Sequence, residues 1–352
     1  MTFDARHYVP ILKAKQGEKQ ALSLLAAAVS SRLTPLLEIV ERTDKPLVSH
    51  INTAFKLLPE AVASCGRCFI DAREIAPDGA AGAAAVFQRA EDDGITFTPV
   101  TGVSRTADVD AALEHSENGL ALRLCRDDFE SGSLGYSVLR FMDAHDLAPE
   151  GVDLIVDLGA VDEMVVEGVE AFAAAFLSDV PDHTSWKTFT LSASGFPPSM
   201  AGVTRNSHDL IARVDWLSWF RSQYANRALL TRLPTFSDGA IQNPKGVEGY
   251  NPQTMPRSAA IRYTLANDWL IVKGESVRNR PESQQYPGFA KELVYGGLNH
   301  YFAGPGHCTG CASIKDSADG APSLGSAGVW RRLGTIHHVT TVVEQIDVLP
   351  WP

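Results

Sequence analysis

The chain has 352 residues, of which 45% are hydrophobic, and a formal net charge of -11. This length and apolar content suit one large globular domain or two ordinary ones. The surplus of acidic residues argues against broad, sequence-independent nucleic-acid binding, which needs clustered Lys and Arg, so direct binding is not expected, although a local basic groove is left open. No apolar run approaches the roughly 20 residues of a membrane-spanning helix, and the N-terminal segment lacks the apolar core of a signal peptide. We therefore expect a cytoplasmic protein with no membrane partner.

Apolar runs alternate with helix-forming segments through the first two-thirds of the chain. The predicted strands cover residues 8–13, 34–40, 67–74, 95–103, 119–124, 152–158 and 186–193. The predicted helices cover residues 17–32, 46–63, 79–93, 107–115, 135–145, 165–177 and 209–229. An eighth strand would come either from residues 234–238 or from residues 259–265.

Seven or eight strand-then-helix units in succession predict an α/β fold, a (β/α)8 TIM-like barrel with a C-terminal cap. An open doubly wound sheet is the alternative, but it usually carries a glycine-rich phosphate loop after its first strand. Residues 13–18 contain only Gly17, and the sequence has no P-loop motif. We expect the barrel in residues 1–235, and barrel closure with a loop-rich cap and hairpin in residues 236–352.

The last third of the chain changes in composition. Residues 259–274 indicate two short strands joined at Asn267-Asp268, which predicts a hairpin. Trp269 is expected to pack the cap onto the barrel, and Arg262 to pair with Asp268, although a partner-binding surface is an alternative here. Residues 237–257 and 304–328 have a loop composition. Residues 330–349 carry a β-branched run that leaves helix and strand open.

Charged residues stand at or just beyond the C-terminal ends of the predicted strands. They are Lys13, Glu38, Asp71, Arg73, Arg123 and Asp157. In a (β/α)8 barrel these ends meet at one rim, where enzymes of this fold carry their active sites. Acids beside Lys and Arg there would bind a phosphate or carboxylate, or divide acid and base roles through shifted pKa values. The alternative is an ion-pair network that ties the mouth together.

A catalytic interpretation assigns a role to each of these side chains. Its catalytic residues are Glu38, Asp71, Asp157 and His337. Its substrate-binding residues are Lys13, Arg73, Arg123 and Arg262. His337 and His338 are adjacent, so on a strand they would point to opposite faces, and at most one would serve a given site as base or ligand. The competing interpretation has one histidine packed and the other exposed.

The five cysteines include two Cys-x-x-Cys pairs, Cys65/Cys68 and Cys308/Cys311, with His307 beside the second. An odd number in a large chain does not indicate a secreted disulfide framework. A four-thiolate zinc site is disfavoured, because the pairs are much farther apart than in a zinc ribbon. The second pair with His307 would alternatively hold a metal or act as a redox pair. Unlinked reduced thiols are favoured, so no metal is expected, and the sequence specifies no cofactor.

Several segments are distinctive in both sequence and order. They are residues 8–18 (YVPILKAKQGE), 33–39 (LTPLLEI), 261–264 with 268–269, and 330–331 with Gly334, His337, His338 and Val339. Along nearly the whole chain they resemble the beta protein family, whose namesake is the beta protein of a satellite bacteriophage. The resemblance implies a component of a bacterial phage-defence or toxin–antitoxin cassette that restrains a toxic neighbour. It attaches no catalytic role to these residues.

We therefore expect the protein to act through a partner protein from the same cassette, or as a sensor or neutraliser, with the cap as the contact element. The alternative is a TIM-barrel hydrolase or phosphodiesterase acting on an anionic, phosphorylated substrate held by Lys13 and Arg123. A third hypothesis is a barrel that binds a small anionic ligand without reacting it. The sequence leaves open whether the protein is an enzyme.

Overall fold

Eight parallel strands close into a barrel in the computed structural model, which describes residues 2–245, 257–321 and 325–351. In chain order the strands are β1 (Tyr8–Lys13), β2 (Leu36–Glu38), β3 (Cys68–Asp71), β4 (Phe97–Thr101), β5 (Leu120–Cys125), β6 (Val152–Ala160), β7 (Thr188–Ser194), β8 (Ser207–Ala212), β9 (Thr235–Asp238), β10 (Ser258–Thr264) and β11 (Asp268–Ser276). The barrel order is β1 to β7 followed by β9, which pairs back onto β1. The (β/α)8 barrel is confirmed, the open sheet is excluded, and residues 234–238 supply the eighth strand.

Helices cover the outside of the barrel and build much of the cap. They are α1 (Gln16–Leu22), α2 (Ala27–Ser30), α3 (Leu47–Phe55), α4 (Leu58–Val62), α5 (Gly79–Asp92), α6 (Val109–Glu114), α7 (Arg126–Glu130), α8 (Leu134–Ala144), α9 (Val166–Ser178), α10 (Val214–Ser218), α11 (Glu282–Tyr295), α12 (Thr309–Ala318) and α13 (Ala327–Asp347). Within the described ranges, none of them combines the length and apolarity needed to cross a membrane.

Two predicted helices are each built in two pieces, residues 17–32 as α1 and α2 and residues 46–63 as α3 and α4. Between α3 and α4, Leu57 adopts a left-handed backbone conformation with φ of 67°. Pro59 follows in the first turn of α4. A left-handed residue ends the preceding helix, and proline suits the start of the next, so one continuous helix cannot form.

Apolar side chains fill the middle of the barrel. Because side chains alternate along a strand, every second residue faces inward. The inward cluster comprises Val9, Ile11, Leu36, Phe69, Val100, Ala121 and Ile155. Below it, at the N-terminal ends of the strands, the Asp153 carboxylate pairs with Arg67 at 2.9 Å and Lys187 at 3.3 Å. The barrel is therefore a packed core, with its charged side chains confined to the two rims.

The cap is a second sheet with its own helices. β8, β10 and β11 form an antiparallel sheet in the order β10-β11-β8, which confirms the predicted hairpin as β10 and β11. Helices α11, α12 and α13 share a core with β10 and β11. Trp269 is fully buried and meets Phe196 edge to face at 5.1 Å between ring centroids. Because Phe196 follows β7, this contact packs the cap onto the barrel.

The β-branched run in residues 330–349 is helical as far as Asp347, and the resulting helix α13 lies between the cap sheet and the barrel, in contact with β10 and β1. Neighbouring residues on a helix point about 100° apart. His337 and His338 are therefore not on opposite faces, and both are buried. The interpretation with one packed and one exposed histidine is wrong for this reason.

Two other predictions are wrong. Residues 209–229 do not form one helix, because β8 occupies residues 207–212, α10 begins only at Val214, and Trp219–Tyr224 follows as a π-helix. The partner of β8 is β11, about 60 residues later, which a local pattern cannot reveal. The predicted loop at residues 304–328 contains α12, which Cys308 caps. Residues 246–256 and 322–324 of the predicted loops lie outside the described residues.

Replacing Gly334 with Ala should destabilise the protein, because α13 comes close to β10 at this point. An added Cβ would lie 2.8 Å from the Arg262 carbonyl oxygen and 2.9 Å from Ile241 Cδ1. Overpacking of this kind costs about 1–3 kcal/mol in free energy of unfolding. Urea unfolding of wild type and Gly334→Ala measures the loss.

The matched control is Gly328→Ala in the same helix. Among the described residues, no atom lies within 4 Å of a Cβ added there. Because Ala is the better helix former, this variant should be neutral or stabilised by up to about 1 kcal/mol. Equal unfolding midpoints for the two variants would show that the close approach at Gly334 is not tight.

Candidate functional site

The C-terminal ends of the barrel strands bring five of the six strand-end charges together. These are Lys13, Glu38, Asp71, Arg123 and Asp157, from β1, β2, β3, β5 and β6. Lys13 is in register with Glu38, and Glu38 with Asp71, so these three side chains lie at one level of the barrel. Parallel strands that end at a common rim place polar side chains in this way.

Arg123 is the centre of the resulting network. Its Nη1 donates to Glu38 Oε1 at 2.8 Å and to Asp71 Oδ2 at 2.7 Å. Its Nε and Nη2 donate to Asp157 Oδ2 at 3.0 and 2.6 Å. The side chain of Arg123 is only 3% exposed, so these carboxylates replace water as its partners. One guanidinium group thereby joins carboxylates from three strands.

Asp71 has a second cationic partner in Arg105, whose Nη1 lies 2.7 Å from its Oδ1. Burial by itself raises the pKa of Asp71, but the guanidinium groups of Arg105 and Arg123 outweigh burial and lower the pKa to about 2. A carboxylate with so low a pKa is a weak general base near neutral pH. The geometry therefore favours a structural role for Asp71 over a proton-transfer role.

A cavity of about 20 Å³ opens at this rim, which is room for about one water molecule. Lys13, Glu38, Arg123 and Asp157 contribute to its lining, together with residues that follow β9. Lys13 Nζ donates to the carbonyl oxygen of Pro244 at 2.9 Å. The segment after β9 thus folds over the mouth, and Lys13 is held by its backbone.

Two arginines of the catalytic interpretation lie away from this cavity's lining. Arg73 follows β3 with its side chain 41% exposed, and it contacts Cys125 Sγ at 3.2 Å. Arg262 is in the cap, where its Nη1 donates to the carbonyl oxygen of Ile241 at 2.8 Å. Burial lowers the pKa of Arg262 to about 10.

The predicted pair of Arg262 with Asp268 does not form. In the hairpin register Arg262 lies opposite Ile271, and Asp268 lies opposite Ala212 on the other side of β11. The turn of the hairpin places Thr264 opposite Trp269. The residue opposite Arg262 is therefore Ile271, three residues after Asp268.

The sequence analysis missed a buried polar network between the barrel wall and α13. His338 Nε2 donates to Asp238 Oδ2 at 3.0 Å, and its Nδ1 lies 2.9 Å from Thr264 Oγ1. The Tyr8 hydroxyl donates to Asp238 Oδ1 at 2.5 Å. Burial, opposed by Asp238, lowers the pKa of His338, so the neutral ring donates at Nε2 and accepts at Nδ1. The network joins β1, β9, β10 and α13.

His337 lies in the cap core, among other side chains that can bind metals or act as nucleophiles. One donor atom each from His307, Cys308 and His337 lies within 4.8 Å of the other two. Cys311 Sγ lies 3.3 Å from His337 Nδ1. A hydrogen bond with Cys311 lowers the pKa of the Cys308 thiol to about 4. All five cysteines are free, and the first Cys-x-x-Cys pair packs in the outer core of the barrel, so no four-thiolate site forms.

Replacing Arg123 with Met should destabilise the protein by about 3–5 kcal/mol, because it leaves buried carboxylates without their cation. Arg73→Met is the matched control and should change the free energy of unfolding by no more than about 0.5 kcal/mol, since Arg73 is at the surface. Chemical denaturation at neutral pH measures both. Equal stabilities for the two variants would mean that the network does not hold the mouth together.

Asp71 should make the stability depend on pH in the acid range. Its pKa is about 2 in the folded protein and about 3.9 in an unfolded chain. Its contribution of about 2–3 kcal/mol to the free energy of unfolding is therefore fully present at pH values above its pKa in the unfolded chain. This contribution is lost as the pH falls through its folded pKa of about 2. Wild type should exceed Asp71→Asn in stability at pH 7 by more than at pH 3. A difference that does not change with pH would contradict this assignment.

Comparison with solved structures finds chains with a weak similarity to this one. One is a mandelate racemase/muconate lactonizing protein from Herpetosiphon aurantiacus, with 14% sequence identity and a TM-score of 0.35 over 78% of this chain and 63% of that chain. Another is a triosephosphate isomerase from Bartonella henselae, with 13% identity and a TM-score of 0.33 over 66% of this chain and 91% of that chain. Similarity at this level carries no argument about activity.

Comparison of the sequence gives a more specific result. No curated protein matches it. A family model described as Beta protein matches residues 8–344. This match covers β1, the barrel, the cap and nearly all of α13, in agreement with the resemblance found in the sequence. The chain belongs to the Beta protein family.

Proposed function

We propose that the protein works in the cytoplasm by binding a partner protein, as a component of a bacterial phage-defence or toxin–antitoxin cassette. The main support is the ion pairing of Arg123, whose guanidinium group contacts the carboxylates of Glu38, Asp71 and Asp157. A guanidinium group whose charge and hydrogen-bond donors are already paired with three carboxylates is poorly placed to bind an anionic substrate. The rim then serves to hold the barrel together, and the cap makes the contact.

The size of the mouth supports the same conclusion. Sites for small molecules usually have volumes of roughly 300–1,000 Å³. The cavity lined by Lys13 and Glu38 has about 20 Å³. A phosphorylated substrate would enter only if the segment after β9 moved and Lys13 left the Pro244 carbonyl oxygen.

The cap offers a surface suited to a partner protein. β8 is one of the two edge strands of its sheet, and among the described strands it pairs only with β11, whereas the other edge strand, β10, is in contact with α13. Five of its six residues are exposed, including Leu210 at 41%. An exposed strand edge presents backbone N–H and C=O groups to which an extended segment of another protein can add as a further strand. We infer that the partner contributes such a segment.

A TIM-barrel hydrolase or phosphodiesterase is the second candidate function. Its support is that Glu38 and Asp157 line one cavity with Lys13 at the rim where enzymes of this fold carry their sites. Lys13 donates to a carbonyl rather than to a carboxylate, so its charge would be available to an anionic group. This function requires the mouth to open.

Co-expression with each product of the neighbouring genes tests the proposal. The tagged protein should retain one of these products, and Glu38→Gln should retain it equally well, because Glu38 lies at the mouth. Leu210→Lys should lose it, since a lysine on an edge strand opposes strand addition. Leu139→Lys is the matched control, a leucine 59% exposed on α8, and it should bind like wild type.

Two results would count against partner binding through the cap. In the first, Leu210→Lys retains the partner as well as Leu139→Lys does. In the second, Glu38→Gln abolishes protection of the host while circular dichroism and partner retention stay unchanged. The second result would favour the hydrolase.

A further inference from the structure

Four side chains with metal-binding atoms meet in the cap, away from the barrel mouth. His307 and Cys308 stand at the start of α12, Cys311 lies in its first turn, and His337 comes from the middle of α13. Donor atoms of the first two and of His337 lie within 4.8 Å of one another. Cys311 Sγ lies 3.3 Å from His337 Nδ1. Two sulfur and two nitrogen donors are a common ligand set of four-coordinate zinc.

The His337 ring is held in the orientation that a metal ligand needs. Its Nε2 lies 2.8 Å from the carbonyl oxygen of Thr264. A carbonyl only accepts, so Nε2 carries the proton and Nδ1 turns its lone pair toward the two thiols. The ring also stacks on Tyr263, with centroids 3.8 Å apart and planes 15° from parallel. Metal-bound histidines commonly donate their other N–H to a backbone carbonyl in this way.

Each of the two sulfur atoms has a hydrogen-bond donor beside it. The backbone N–H of Cys311 donates to Cys308 Sγ at 3.2 Å. The Tyr263 hydroxyl accepts the backbone N–H of Ala303 at 2.9 Å, so its own proton is free to point at Cys311 Sγ, 3.4 Å away. Donors of this kind stabilise thiolates, which are the form in which cysteine binds metals.

His307 is supported from α13 on both sides of its ring. Its Nδ1 lies 3.2 Å from a carboxylate oxygen of Glu344, and its Nε2 lies 3.2 Å from the Thr341 hydroxyl. A metal would replace one of these two contacts, and the other ring nitrogen would keep its partner. A hydrogen-bond partner on the remaining ring nitrogen, as for His337, is typical of metal-binding histidines.

We propose that His307, Cys308, Cys311 and His337 bind one zinc ion, or a divalent cation of similar preference. In a tetrahedral zinc site the sulfur and nitrogen ligands lie about 3.5 Å apart. The separation of Cys311 Sγ and His337 Nδ1 already has this length at 3.3 Å. The donors of His307, Cys308 and His337, which lie within 4.8 Å of one another, need to close by roughly an ångström. Cys311 lies outside that group of three, so its sulfur needs to move further to complete the tetrahedron.

The ion would have a structural role. Four protein ligands fill a tetrahedron and leave no position for water, which is the pattern of structural rather than catalytic zinc. It would join the segment before α12 to the middle of α13. A dithiol redox pair is the competing interpretation, but it uses only Cys308 and Cys311 and gives no role to the two ring nitrogens that meet them.

Metal analysis of the full-length protein tests the site. The protein is purified with a tag that contains no histidine and is analysed by inductively coupled plasma mass spectrometry. Wild type should contain one zinc per chain, and Cys308→Ser and His307→Gln should lose it. Cys65→Ala, which removes a buried thiol from the barrel core, is the control and should retain it. A chelator should lower the thermal unfolding midpoint of wild type but not of Cys308→Ser.

Cobalt substitution gives a readout that depends on no variant. Wild type reconstituted with Co²⁺ should show the intense visible absorption of tetrahedral cobalt and the charge-transfer band of cobalt thiolate. Three results would overturn the proposal: no zinc and no such spectrum in wild type, a Cys308–Cys311 disulfide in the protein isolated from reducing cytoplasm, or unchanged zinc content in Cys308→Ser.

Discussion

The pairing of Arg123 with carboxylates from three strands is the interaction on which the barrel mouth depends. Glu38, Asp71 and Asp157 come from strands that end at the same rim, and their charges would repel one another strongly out of water. The guanidinium group contacts all three, and Arg105 adds a second contact to Asp71. The same pairing occupies Arg123, one of the two cations that would otherwise hold an anionic substrate. A barrel with an enzyme's architecture can therefore have a mouth built for stability.

The cap depends on α13 in a comparable way. Along one face of this helix, Gly334 meets the backbone of β10, His337 meets Thr264 and the thiols, and His338 meets Asp238 of the barrel. Both histidines contact Thr264, but His337 also meets the cap thiols and His338 also meets the barrel aspartate, because adjacent helical residues point in different directions. Barrel and cap are thus packed around one helix, and the edge strand β8 is left exposed on the far side of the cap sheet.

The barrel could be predicted because its signals are local. β1 and β6 were expected at residues 8–13 and 152–158 and are found at Tyr8–Lys13 and Val152–Ala160, since each is an apolar run followed by its own helix. β8 could not be recognised, because its pairing with β11 is distant in sequence and its exposed face carries no apolar pattern.

The cluster around His337 was missed for a similar reason: Cys311 and His337 are 26 residues apart, and the histidine pair was considered on a strand. The sequence showed that the charged residues share a rim. The pairing of Arg123 with three carboxylates depends on side-chain geometry, which the sequence does not show.

Gly334 couples the position of α13 to the reach of its two histidines. The distance between α13 and β10 is set by the absence of a single methyl group, and the two imidazoles lie one helical turn further along the same interface. A chain with a larger side chain at this position would hold its helix farther out, and its histidines would no longer reach both the cap thiols and the barrel aspartate. Glycine at this point and the histidine pair should therefore be gained or lost together.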